Sequence, residues 1–430
     1  MLSLELPALQ VAGAVVALGA WWALGHTTTA DFQSVAVKAY AISSVVALPV
    51  TLGLPYLIPN SYRGASGQEI RGRGPWSPYV SLTVASGLIA YGCGLAGLVI
   101  LASRPSAGLA VVVATCFAAG FVALSILGAQ TARVMNQRGL MIMSSLGQAL
   151  LPLTWLLAGW LGASAHVANE LLAAGAALGC GLLVWHERRR LVSPVAAIRS
   201  AEGRTIRSAL LLIPHLVLFA AFTQGMRLQA VGHASPERVA AAHDVMLIIT
   251  IGATLAGSIH AFMTVKIQAA PDGLVDERVR VNAFVYGAMA VVCAVGTVVA
   301  MAWLAPHAMS NFPDLGPASV AALALVLPSI LTYYALSGLA MRDSRAVVLL
   351  VTSATTVAAY YVTASIWPTT SAADASIEYG LSSLVLPLVL FSILMATARG
   401  QARGRIVRLS RACAVGYVPA LALGVVAWVR

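Results

Sequence analysis

Residues 107–138 read AGLAVVVATCFAAGFVALSILGAQTARVMNQR: no charge from Ala107 to Thr131, then Arg133 and Arg138. At 1.5 Å per residue such a run extends roughly 38 Å as a helix, enough to cross a hydrocarbon core roughly 30 Å thick. The same unit, an apolar stretch closed by arginine, recurs along the chain. Spans are predicted at 4–25, 33–58, 78–102, 107–131, 139–161, 166–186, 208–231, 240–265, 281–305, 317–340, 346–367, 377–398 and 409–428.

Composition agrees. The 430 residues are 59% hydrophobic and 10% charged, with mean hydropathy +0.86. A water-soluble domain carries about a quarter charged residues to solvate its surface. The net charge of +11 does not indicate nucleic acid, because the basic residues fall in short clusters between apolar runs and form no basic groove. Only Lys38 and Lys266 among the 26 basic residues are lysine, and arginine with abundant alanine and glycine fits GC-rich coding and a bacterial source. Cys93, Cys116, Cys180, Cys293 and Cys413 all lie in apolar runs without metal-ligand spacing and read as small packing residues.

Charge distribution orients the chain. With the N-terminus cytoplasmic, the inner loops hold 21 basic residues, among them Arg63, Arg71, Arg73, Arg133, Arg138, Arg188, Arg189, Arg190, Arg342 and Arg345. The outer loops hold only Arg104 and Arg238. This positive-inside bias places a multi-pass protein in a bacterial plasma (inner) membrane. Trp21, Trp22, Trp160, Trp185, Trp303 and Trp367 fall near span ends, as interfacial aromatics do. The basic stretch 187–207 divides the chain into a six-span lobe at 1–186 and another at 208–398, leaving 399–430 as a basic loop and an extra helix. The fourth and tenth spans end alike (Gly128, Ala129, Ala132, Arg133; Ser337, Gly338, Ala340, Arg342), as two related halves would.

Two cations lie inside spans, where an ionisable group marks a functional position. Lys38 and Arg227 both sit roughly 6–8 Å below the outer interface by helical rise. Thr223, Gln224 and Ala220 share a polar, small face with Arg227, whereas the face of Lys38 is small and polar only on its outer side, with Ser34 and Ala41 there but bulky Ile42 and Val45 toward the inside. Snorkelling to the outer headgroups is the alternative for each. Asp244, with His243 beside it, and Glu170 reach similar depth as pairing or coupling groups, or as headgroup-level residues. His215, next to Pro214, is a further coupling candidate or a helix-to-helix hydrogen-bonding group. Pro49, Pro152, Pro214, Pro328 and Pro387 are expected to bend their helices. The chain has no Walker P-loop and no acidic outer loop of the kind a membrane glycosyltransferase uses; neither a cofactor nor a metal is expected.

The stretch Ala30-Asp31-Phe32-Gln33-Ser34 through Leu52-Gly53-Leu54-Pro55-Tyr56-Leu57-Ile58, followed by Tyr62-Arg63-Gly64, resembles the second helix of polysaccharide flippases. These belong to the multidrug/oligosaccharidyl-lipid/polysaccharide exporter superfamily. The resemblance covers about residues 1–400; Gln33 stands where a glycine is usual, and the thirteenth helix is an addition. It implies an all-α integral membrane protein with a twelve-helix core, two six-helix lobes forming a V around a central cavity. It also implies that Lys38 and Arg227, with Gln224 and Ser34, bind an anionic headgroup there. The expected function is then flipping of a polyprenyl-phosphate- or pyrophosphate-linked saccharide to the outer leaflet by alternating access, for cell-envelope polysaccharide synthesis. Its partners would be membrane lipids and the glycosyltransferases or polymerase of that pathway, with no nucleic acid. A drug or metabolite antiporter of the same superfamily is the alternative, and a membrane-embedded glycosyl- or acyltransferase a third.

Overall fold

The protein, seen in a computed structural model, is described over residues 5–57, 77–135, 137–200, 203–233, 235–269, 272–309, 312–342, 345–366 and 371–429. Arg63, Arg71, Arg73, Trp367 and the segment from Ile58 through Gly64 lie outside the described residues.

The longer helices run, in chain order, α1 (Glu5–Thr27), α2 (Ala30–Val50), α3 (Ser77–Ser103), α4 (Ala107–Met135), α5 (Arg138–Ser145), α6 (Leu150–Trp160), α7 (Ala165–Glu187), α8 (Pro194–Ser200), α9 (Gly203–Thr223) and α10 (Gly225–His233). They continue as α11 (Pro236–Ala269), α12 (Val275–Val299), α13 (Pro317–Ala324), α14 (Val326–Arg342), α15 (Ala346–Ile366), α16 (Ala372–Ser383), α17 (Val385–Thr397), α18 (Gln401–Ala414) and α19 (Val418–Val429). Among the described residues, 11 helices are long and apolar enough to cross a membrane, and two bent pairs, α5–α6 and α9–α10, bring the total to 13. Each falls on one of the thirteen predicted runs. The chain is an all-α, multi-pass membrane protein.

Prolines explain several breaks. Pro328 and Pro387 have no N–H to give to the carbonyls four residues back, Ala324 and Ser383, which are the last residues of α13 and α16. Pro152 follows the break between α5 and α6. By contrast, Pro214 lies inside the continuous α9, and Pro49 lies in the last turn of α2. The largest bend, 74° between α9 and α10, has no proline at all.

The chain forms two compact units. The first comprises Met1–Ala220 with Ala234–Ala240, the second Ala221–His233 with Ala241–Arg430. The division therefore falls within the seventh span, later than the 187–207 stretch that charge marks as a linker. That stretch is partly built into the first unit: α8 packs on α3, and Ser81 Oγ accepts from Val192 N at 2.8 Å. In the second unit α14 is almost wholly buried, with Leu327, Ile330, Leu331, Leu336 and Ala340 at 2% exposure or less. The thirteenth span is not peripheral. Tyr417 donates to Ser329 Oγ at 3.3 Å, and Ser383 donates to the same oxygen at 3.2 Å, which ties the α18–α19 segment to α14 and α16. Trp22, Trp160, Trp185 and Trp303 are exposed as expected, but Trp21 is buried, its ring edge-on to Tyr40 at 5.4 Å.

Candidate functional site

The second unit holds a buried polar cluster at the bend between α9 and α10. The bend leaves Gln224 between helices, where its carbonyl accepts from Leu228 N at 2.9 Å and starts α10. Arg227 is then one turn along, wholly buried. Its Nε donates to His243 Nδ1 at 3.0 Å, and one terminal nitrogen donates to Gln224 Oε1 at 2.7 Å and to Thr250 Oγ1 at 3.2 Å. Thr250 is free to accept because its own proton goes to Met246 O at 2.6 Å. Arg227 therefore neither snorkels to headgroups nor presents an open cationic face here. Burying a guanidinium is costly, and these three bonds offset part of that cost.

Aromatic residues close the other side of the bend. Phe222 stacks on Tyr379 with centroids 5.2 Å apart, and Tyr379 Oη donates to Thr223 O at 3.4 Å. Tyr360 stands edge-on to Tyr379 at 5.7 Å and donates to Gln229 Oε1 at 2.9 Å. Gly225 permits this closeness: a Cβ there would lie 2.7 Å from Tyr360 Cε1.

Next to Tyr379 on α16 is Glu378, a carboxylate absent from the residues the sequence singled out. It is 7% exposed, and neither carboxylate oxygen has a hydrogen-bond partner among the described residues. Hydropathy starts this span at 377 and so leaves Glu378 at the interface. The structure starts the helix at Ala372, with Ser371 Oγ accepting from Asp374 N at 3.1 Å and donating to Asp374 Oδ2 at 2.8 Å. Ser371-Ala372-Ala373-Asp374 is a capping-box pattern, and reading it would have moved the helix start out and Glu378 two turns inside. His260 also went unmarked; it lies 2.8 Å from Tyr286 Oη and stacks on Tyr334 at 4.4 Å.

The remaining predicted site residues are distributed as follows. Asp244 is buried on α11 of the second unit beside His243. In the first unit Ser34 is buried on α2 and Lys38 is half-buried, with no ion-pair partner among the described residues. Glu170 sits at the protein surface: its carboxylate is 3.2 Å from His166 one turn back, and its side chain is 54% exposed. His215 is buried in α9, packed near Phe219 with ring centroids 6.3 Å apart. Among the described residues no group of three or more His, Cys, Asp or Glu gathers as a metal site would require.

No protein-family model matches this sequence, and no curated protein matches it. Solved structures do match the fold. An outward-facing multidrug resistance MATE family transporter of the MOP superfamily has a TM-score of 0.60 at 13% identity, over 95% of both chains. The eukaryotic MATE transporter AtDTX14 has a TM-score of 0.58 at 14% identity, over 95% of this chain and 96% of its own. The Vibrio cholerae MATE transporter VcmN has a TM-score of 0.58 at 11% identity, over 96% and 97% respectively. Over nearly its whole length, the chain has the fold of MATE transporters.

Proposed function

We propose that this chain is a proton-coupled exporter of a small amphiphilic drug- or metabolite-like compound, working by alternating access in a bacterial inner membrane with its N-terminus cytoplasmic. The observation that carries this reading is Glu378. An ionised carboxylate buried without a hydrogen-bonding partner is strongly disfavoured, so it needs a proton or a cation to neutralise it. A lone carboxylate among tyrosines suits a proton, which asks for no further ligands. Gaining or losing that proton changes the charge on α16 next to Tyr379, whose ring stacks on Phe222 at the bend in the seventh span. Such a state-dependent contact is what any driven conformational change requires. The MATE-like fold supports transport as the setting for it.

A second reading, the lipid-linked saccharide flippase, rests on Lys38. This half-buried ammonium in the first unit remains available to an anionic headgroup, whereas Arg227 is engaged by His243, Gln224 and Thr250. One cation instead of two weakens the grip this reading needs. Glycosyltransferase or polymerase partners belong only to it.

Proteoliposomes separate the two. With an imposed proton gradient, the exporter reading predicts gradient-driven movement of an organic compound such as ethidium, abolished in Glu378→Gln. The flippase reading predicts translocation of a fluorescent polyprenyl-pyrophosphate saccharide, abolished in Lys38→Ala and indifferent to Glu378→Gln.

A further inference from the structure

The first unit has a second polar feature, at the opposite end of α7 from Glu170. At the C-terminal end of α7 an open pocket of about 620 Å³ is lined by Trp185, Arg188, Arg189 and Arg190, with Leu182 and Met143 at its apolar margin. Its charge is unbalanced. Arg190 is paired, with one terminal nitrogen 2.7 Å from Glu187 Oε2, and Glu187 is itself buried. Arg188 and Arg189 have no carboxylate partner among the described residues.

The arginines are also held in place. The Arg188 guanidinium lies over the Trp185 ring, 3.6 Å from its centroid, and donates to Trp185 O at 3.0 Å. Stacking of this kind fixes an arginine while leaving its other N–H groups for an anion. Arg190 is 5% exposed, yet its Nε has no acceptor among the described residues. Its terminal nitrogens are taken by Glu187 and by Met135 Sδ at 2.8 Å, so Arg190 braces the pocket wall and leaves Arg188 and Arg189 to meet an anion.

Leu178, Leu182 and Trp185 are 68%, 46% and 65% exposed and fall on one face of α7 at helical spacing, leading straight to the pocket. A free anion has no use for that apolar stripe, and an acyl chain does.

We propose that this pocket binds the phosphate headgroup of an anionic lipid from the leaflet on the arginine-rich side of the membrane, with an acyl chain lying along Leu178, Leu182 and Trp185. Basic pockets at the inner ends of membrane helices bind such headgroups, with each arginine near the surface contributing about 1 kcal/mol. The inference is independent of which compound the protein moves.

The test uses the full-length protein in mild detergent, with phosphatidylglycerol retention followed by native mass spectrometry. Arg188→Gln/Arg189→Gln should weaken phosphatidylglycerol binding roughly 10- to 30-fold. Arg278→Gln/Arg399→Gln, which removes equal charge elsewhere on the same side, should bind as wild type. Phosphatidylcholine should bind weakly, and inorganic phosphate should not displace the lipid. Equal loss in both double variants would mean diffuse attraction and overturn the proposal; so would displacement by inorganic phosphate, which would make the ligand a free anion. Brominated phosphatidylglycerol gives a readout that leaves the arginines intact. It should quench a fraction of the tryptophan fluorescence that Trp185→Phe removes, and undiminished quenching in that variant contradicts the site.

Discussion

Arg227 Nε lies 3.0 Å from His243 Nδ1, and because a guanidinium nitrogen only donates, His243 is held as a neutral imidazole with its proton on Nε2. The sequence placed both residues near the outer end of their spans. The structure makes them partners inside one unit, joining α10 to α11.

Removing the acceptor should therefore cost stability. His243→Ala leaves a buried charged donor without its acceptor, a loss of about 1–3 kcal/mol. Thermal unfolding in detergent should shift down accordingly, and His243→Asn, whose side-chain oxygen can accept, should recover part of it.

At the 74° bend, Gly225 lets the chain approach Tyr360 closely. Gly225→Ala places a methyl 2.7 Å from the Tyr360 ring, and overpacking of this kind costs about 1–3 kcal/mol. Tyr360→Leu opens space there but loses the bond to Gln229. The double variant should be more stable than the sum of the two single changes requires, which a double-mutant cycle on unfolding midpoints measures.

Much of the architecture was legible in the sequence because lipid imposes one simple rule. Every span must be a long apolar helix, so hydropathy and arginine placement locate all thirteen. What escaped has physical reasons too. The bend at Gln224–Gly225 carries no proline, and its close contact, Tyr360, comes from a distant helix, so hydropathy does not mark it. Glu378 was hidden by a hydropathy boundary that ignored the Ser371 cap. The sequence predicts a polar surrounding for Arg227 from Thr223 and Gln224 on its own helix, whereas His243 and Thr250, which accept from it, come from another helix that no local pattern points to. The extra C-terminal helix looked left over since nothing in its composition reveals that Tyr417 bonds Ser329.

Glu378→Gln should leave the protein folded, with an unfolding midpoint equal to or above that of the wild type, because an amide needs no neutralising partner. Gradient-driven transport should nonetheless be lost. A large fall in stability would show instead that the carboxylate is a structural element.

Lys38→Ala should alter stability little, since the ammonium has no ion-pair partner among the described residues to leave stranded. If Lys38 serves an anionic substrate, transport of that substrate falls while export of uncharged compounds persists. Uptake assays with paired anionic and neutral substrates read this directly.

The central claim is that Glu378 takes up and releases a proton. Infrared difference spectroscopy of the purified protein across a pH titration observes the carboxyl carbonyl stretch without needing a substrate. A titrating band present in the wild type and missing from Glu378→Gln is the predicted result; superimposable difference spectra for the two proteins at every pH would contradict the account.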